Sequence, residues 1–285
     1  MTALGSQGTR RRPASGSAPT PAPADFRAEA ALIRELWDAQ KAHVAAQGLD
    51  TEEQQYLDAH FSMPLTLRRR LAVIDWLARG IRPGDRVLEW GCRHAVDSCI
   101  YRRRFGESLQ LSGCDYVEGD FYKPFHDYSG LQYRRIAHPY RLDYADASFD
   151  VVTSNGVWEH VEDEENSLRE IFRVLRPGGS FLVACLPNRL SYTEAIQRRL
   201  GHEAHERLYS IASAAALMKA AGFEVLETDR RLIVPTMLNG FPRPLKDAYG
   251  RMHAAVWACN GLLERLWPIS LVASNLMFVA RRPAA

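Results

Sequence analysis

Two carboxylates and a histidine, each beside the end of an apolar run, are the residues of this chain best placed to do chemistry. Glu89 lies in Val87-Leu88-Glu89-Trp90, a run stopped by Gly91, and Asp115 closes Gly113-Cys114-Asp115. An acid in the second of these places either opens a turn or holds the paired hydroxyls of a ribose through charge-assisted hydrogen bonds. His160 follows a third run, residues 149–153. Its imidazole titrates near neutral pH and could take a proton from a hydroxyl; it could equally cap the adjoining helix or pack under Trp158. His202 and His205, beside Glu203 and Glu206, carry metal-ligand chemistry. A metal site needs further convergent ligands and supporting partners, so surface or substrate contact is the simpler reading and no metal is expected. The five cysteines are scattered without a CxxC pair, which suits reduced thiols in a cytosol.

The elements that must position these residues follow from periodicity. Residues 26–80 read as helical: Leu67, Leu71, Ile74 and Leu77 recur on one face, with Arg68, Arg69 and Arg70 between them on others. Pro83-Gly84-Asp85 makes a turn into the run at Val87. Short apolar runs then alternate with helical stretches, at residues 109–114, 131–136, 149–153, 180–185, 223–226 and 276–280. The clearest helix carries Leu168, Ile171, Phe172 and Leu175 on one stripe, acids (Glu162 to Glu165) at its start and Arg173 and Arg176 at its end. Pro177-Gly178-Gly179 is expected to stop it. Such alternation predicts an α/β fold, a parallel sheet with helices on both faces and a ligand past the carboxyl ends of its central strands.

Taken together, these segments resemble the class I S-adenosylmethionine-dependent methyltransferases. Val87-Leu88-Glu89-Trp90-Gly91-Cys92 is similar to that family's acid and glycine-rich loop, and Gly113-Cys114-Asp115 to its ribose-binding motif. Ser148-Phe149-Asp150-Val151-Val152 with Val157-Trp158-Glu159-His160-Val161 resembles the fourth strand and what trails it, and Leu175-Arg176-Pro177-Gly178-Gly179-Ser180-Phe181 the turn into the fifth. Leu186-Pro187-Asn188 and Ala221-Gly222-Phe223 match in order and spacing. The resemblance implies a Rossmann-like, seven-stranded, mostly parallel sheet with an antiparallel last strand. It implies S-adenosyl-L-methionine as cofactor, with Glu89, Gly91, Cys92, Arg93, Asp115, Tyr116, His138 and Asn155 around it and His160 at the methyl-transfer edge. Two features depart from the pattern. Arg93 and Ala95 stand where the family has glycines, and His138 stands where an acid often faces the adenine amine. The expected reaction is methylation, at oxygen, of a small-molecule, lipid-like or glycoconjugate acceptor in a biosynthetic pathway. A catalytically silent binding module of the same fold is the alternative that the altered loop suggests. An NAD(P)-dependent oxidoreductase fits less well, because only Gly91 of a GxGxxG phosphate cradle is present.

Five segments are expected: a disordered tail (1–25), a helical segment (26–80), the Rossmann-like core (81–234), a helical insertion (235–270) and the last strand with its tail (271–285). The insertion is too long for a hairpin and too apolar for a plain loop, so it is either a helical layer on the sheet or a cap over the acceptor. The cap is the working expectation. The tail is poor in acids and rich in Ala, Pro, Ser and Gly; its prolines spoil an amphipathic transit helix. With 46% apolar and 25% charged residues the chain can build a core, and a net charge of +2 asks for no nucleic acid. Residues 256–279 contain Asn260, Glu264, Arg265 and Asn275, which spoils them as a membrane span. A cytoplasmic protein is expected, of undetermined oligomeric state.

Overall fold

A computed structural model describes residues 24–49, 54–55, 57–58, 61, 63–201, 205–236 and 242–284. Almost all of the expected tail, along with His202, Glu203, Met237, Leu238 and Phe241, lies outside these residues. Helices α1 (Phe26–Gln47) and α2 (Pro64–Ala78) precede the sheet. Strands and helices then alternate: β1 (Arg86–Trp90), α3 (Val96–Phe105), β2 (Gln110–Asp115), α4 (Lys123–Ser129), β3 (Gln132–Arg135), β4 (Phe149–Asn155), α5 (Glu164–Val174) and β5 (Leu175–Pro187). They are followed by α6 (Tyr192–Arg199), α7 (Ile211–Ala220), β6 (Glu224–Arg231), α8 (Arg243–Arg251), α9 (His253–Leu263) and β7 (Asn275–Arg281).

The strands form one sheet in the order β3-β2-β1-β4-β5-β7-β6. Neighbours from β3 to β5 are parallel, and β7 runs antiparallel between β5 and β6. The implied sheet is therefore the observed one. Chain order reverses between β1 and β4, and at such a switch the loops on either side diverge and leave a crevice. Register sets which residues meet there: Trp90 lies opposite Cys114 on β2 and Ser154 on β4, so Gly91, Asp115 and Asn155 emerge together at the carboxyl edge. Two cores flank the sheet because strand side chains alternate; Val87 and Val151 join one, Leu88, Trp90 and Val152 the other.

Two local expectations need correction. Helix α5 ends at Val174, before Pro177, and residues 175–179 form an irregular entry to β5, where pairing shifts between Phe149↔Leu175 and Val151↔Ser180. The Arg282 guanidinium closes that helix instead, donating to the carbonyls of Phe172 (2.9 Å), Arg173 (3.2 Å) and Leu175 (2.8 Å). Arg104, in the basic run Arg102-Arg103-Arg104 that the sequence alone reads as a solvated helix face, is buried and pairs bidentately with Glu29 (2.7 and 2.9 Å), joining α3 to α1. The helices between β6 and β7 also do not bury their apolar residues as a core layer. Leu262, Leu266 and Trp267 are exposed, and the segment is held at its base by polar groups. Asn260 Oδ1 accepts from the Ile233 and Val234 amides, and Glu264 Oε1 from the Leu232 amide. Among the described residues no helix is long and apolar enough to cross a membrane.

Candidate active site

The loop after β1 is pinned to the end of β2. The Gly91 and Cys92 amides both donate to the Cys114 carbonyl (2.9 and 3.1 Å), and the Arg93 amide donates to Asp115 Oδ2 (2.8 Å). Asp115 Oδ1 takes the Tyr116 amide (2.6 Å). Gly91 has φ +72°, and a side chain there would overlap the Val157 methyls. Arg93 (φ 43°) and Ala95 (φ 53°) keep left-handed backbone although neither is glycine. Each such residue costs on the order of 1–2 kcal/mol, so the departure from the glycine pattern is held by the surrounding hydrogen bonds and leaves the turn in place. Cys92 turns its thiol into the core against Gly113, and its carbonyl accepts from the Ala95 amide (2.6 Å). Tyr116 and His138 are exposed; the His138 ring stacks on Tyr140 at 5.1 Å.

Behind this loop lies a buried acidic pair. Glu89, 4% exposed, accepts from the Ser98 amide (3.0 Å) and hydroxyl. Burial, with nearby Asp97 adding to it, pushes its carboxyl up to about 8. Asp97 meets Arg70 (2.7 Å) and accepts from Asn155 Nδ2 (2.8 Å). Asp115 is also raised by burial, against hydrogen bonds from Tyr116 and Arg93 that favour its charged form. Three carboxyls around one turn favour a cationic ligand, and Asp115 at the strand end can still accept from hydroxyls. The residues therefore fit S-adenosylmethionine, which carries an ammonium, a sulfonium and a ribose.

The adjoining edge, past β4, opens on a cavity of about 390 Å³ lined by Asn155, Glu159, His160, His205 and Arg69 among others. Glu159 is 5% exposed, and its Oε2 has no hydrogen-bond partner among the described residues. Burial pushes its carboxyl up to about 7. The His160 side chain is 65% exposed, with Nε2 3.9 Å from Glu159 Oε1. Desolvation, then His205 and Arg207, lowers its pKa. Its ring neighbour is His205 at 5.8 Å, whereas the buried Trp158 ring lies tilted against Tyr209 at 5.4 Å. His205 Nδ1 bonds Glu194 Oε1 at 2.8 Å.

A second cavity, about 290 Å³, continues between α2 and α9 past Trp76, Trp257 and Met277. It shares Arg69, Val73, Leu232 and Asn275 with the first. Sequence reading brings Glu89, Gly91, Asp115 and Asn155 to one edge as expected, but it misses Arg70, Asp97, Glu159 and Glu194. The available signal was weak: Glu159 immediately precedes the histidine that drew attention, and Arg69 and Arg70 sit on a helix covered on more than one side.

A family model of methyltransferase domains matches residues 65–228, more than half of the chain. A Mycolicibacterium smegmatis protein named for S-adenosylmethionine-dependent methyl transfer is 34% identical over 161 residues, 56% of this chain and 60% of its own length. The demethylmenaquinone methyltransferase of Desulfitobacterium hafniense is 30% identical over 103 residues, 34% of this chain and 41% of its own. The chain thus spans less than two thirds of either relative. Among solved structures, an S-adenosylmethionine-dependent methyltransferase from Methanosarcina mazei superposes with a TM-score of 0.51 at 12% identity, covering 74% of this chain and 98% of that one; it is similar in fold. With the sheet order, the pinned loop and the acids around it, these matches place the chain in the class I S-adenosylmethionine-dependent methyltransferase family.

Proposed function

We propose that the chain methylates a hydroxyl oxygen of an amphiphilic small molecule, a lipid-like or glycoconjugate acceptor. The observation that carries this reading is a pair of adjacent cavities that share Arg69, Val73, Leu232 and Asn275 as walls: a polar one at Asn155, Glu159 and His160, and a more apolar one running past Trp76 and Trp257. A polar reacting end fits the first and an apolar tail the second. The names of two relatives support the apolar half: the demethylmenaquinone methyltransferase above, and the sterol 24-C-methyltransferase of Eremothecium gossypii, 28% identical over 138 residues, 46% of this chain and 31% of that one.

Bound S-adenosylmethionine supplies an electrophilic methyl on a positively charged sulfur. The protein's part is alignment: Asp115 and the loop from Gly91 to Ala95 fix one partner, and the walls of the adjacent cavities fix the other. The hydroxyl's proton leaves toward Glu159 and His160, whose neutral imidazole can accept it. The insertion contributes as a partial cap through Trp257, a half-buried wall of the apolar cavity.

An acceptor panel of hydroxylated compounds with and without apolar tails, read by S-adenosylhomocysteine release, tests this reading. Tailed hydroxyl compounds should turn over best. Trp257→Ala should raise their KM by roughly 10- to 100-fold, from lost apolar burial, while leaving thermal stability nearly unchanged. Equal turnover of tailless acceptors, with no effect at Trp257, would contradict it.

A further inference from the structure

We infer that the polar cavity holds a divalent transition-metal cation on Glu159, His160 and His205. One ligand atom from each of these residues lies within 4.8 Å of the others, so a modest adjustment would bring all three around one ion. They reach this point from different parts of the chain: Glu159 and His160 from the 3₁₀ turn after β4, His205 from the connection that follows α6. The sequence set a metal aside for want of converging ligands beside His205, and the fold supplies them.

Three further features of the site suit a cation. The Glu159 carboxylate is almost fully buried, lines the cavity, and leaves Oε2 without a hydrogen-bond partner among the described residues. A buried carboxylate oxygen in that condition is costly unless an ion or a ligand satisfies it. His205 bonds Glu194 through Nδ1 at 2.8 Å, which keeps the proton there and the lone pair on Nε2; metal-binding histidines are commonly oriented in this way. Two imidazoles and one carboxylate leave open positions on the ion, and the set favours zinc, manganese or iron over calcium or magnesium.

This rests on the acceptor reading of the same cavity and deepens it. The cation would hold the acceptor's hydroxyl oxygen and lower its pKa; with the Glu159 and His160 lone pairs on the ion, the proton would leave to water, in place of the direct transfer to His160 given above for the metal-free cavity.

The test is calorimetric titration of the full chain with Zn²⁺ and with Mn²⁺, in the absence of cofactor and acceptor. One ion per chain is expected. Glu159→Gln, His160→Ala and His205→Ala should each weaken binding by at least about 100-fold, and Glu194→Gln by about 10- to 100-fold through loss of ring orientation. Retained S-adenosylhomocysteine affinity and an unchanged Tm in each variant show that the fold is intact. Absence of binding to the parent chain, or binding that survives both Glu159→Gln and His205→Ala, would overturn the site. Because the readout is metal uptake, either result leaves the acceptor panel to decide separately whether methyl transfer occurs in this cavity.

Discussion

The two halves of the carboxyl edge are built in opposite ways. The β1–β2 half is local: Glu89, Gly91, Arg93 and Asp115 fall within β1, the loop after it and β2, and the loop is bonded to its neighbouring strand by consecutive amides. The half beyond β4 gathers its walls from α2, the turn after β4, the stretch after α6 and helix α9. Substitutions in the first half should therefore affect a rigid common function, and substitutions in the second should affect selectivity.

The largest effect is expected at Gly91. Valine there must adopt φ +72° and overlap Val157, so Gly91→Val should lose at least about 3 kcal/mol of stability and all measurable cofactor binding. Denaturant unfolding and titration with S-adenosylhomocysteine measure the two losses. A stable variant that binds normally would break the claim that this half is rigid.

Asp115→Ala comes next. Loss of two charge-assisted hydrogen bonds to the ribose should cost about 2–4 kcal/mol of binding, roughly 30- to 1,000-fold. Because the same carboxylate also holds the Arg93 and Tyr116 amides, stability should fall by about 1–2 kcal/mol as well. Unchanged affinity would remove Asp115 from the ribose site.

Glu89 gives a pH dependence. Burial holds its folded-state pKa at about 8, above the ordinary glutamate value of 4.5, so the unfolded chain ionises first and stability falls as pH rises from 4.5 to 8. A cationic ligand favours the carboxylate, so binding should release a proton and tighten with pH across the same window, by up to about tenfold per unit. Glu89→Gln should flatten the profile measured by titration calorimetry between those limits.

The smallest effect is at Arg93. Arg93→Gly relieves a left-handed residue and should stabilise the chain by at most about 1 kcal/mol, read as a shift in urea midpoint. Unchanged cofactor affinity would assign the position to backbone geometry alone. A tenfold loss would show that its guanidinium pairs with the cofactor's carboxylate.

The same contrast explains what could be read from sequence. The sheet was legible because short apolar runs and turn residues are local signals, and their order identifies the family. Asp115 and Gly91 were legible because a strand end determines where they emerge. The boundary at Val174 was not, because the residue that closes α5 is Arg282, more than a hundred positions away. Arg70 reads only as one face of a helix, and only tertiary packing brings it to Asp97. The insertion reads as apolar enough to need covering, yet its exposed Leu262, Leu266 and Trp267 show that composition alone does not fix which face turns inward.

In the proposed reaction a methyl group passes to an acceptor hydroxyl oxygen in the cavity lined by Asn155, Glu159 and His160. Its most direct test is incubation of the full chain with S-adenosylmethionine bearing an isotope-labelled methyl and a tailed hydroxyl acceptor, followed by NMR of the product. The account predicts one label on oxygen for each S-adenosylhomocysteine released, and a turnover number that falls sharply in Glu159→Gln without loss of cofactor affinity. Label on carbon or nitrogen, or full turnover by the Glu159 variant, would contradict it.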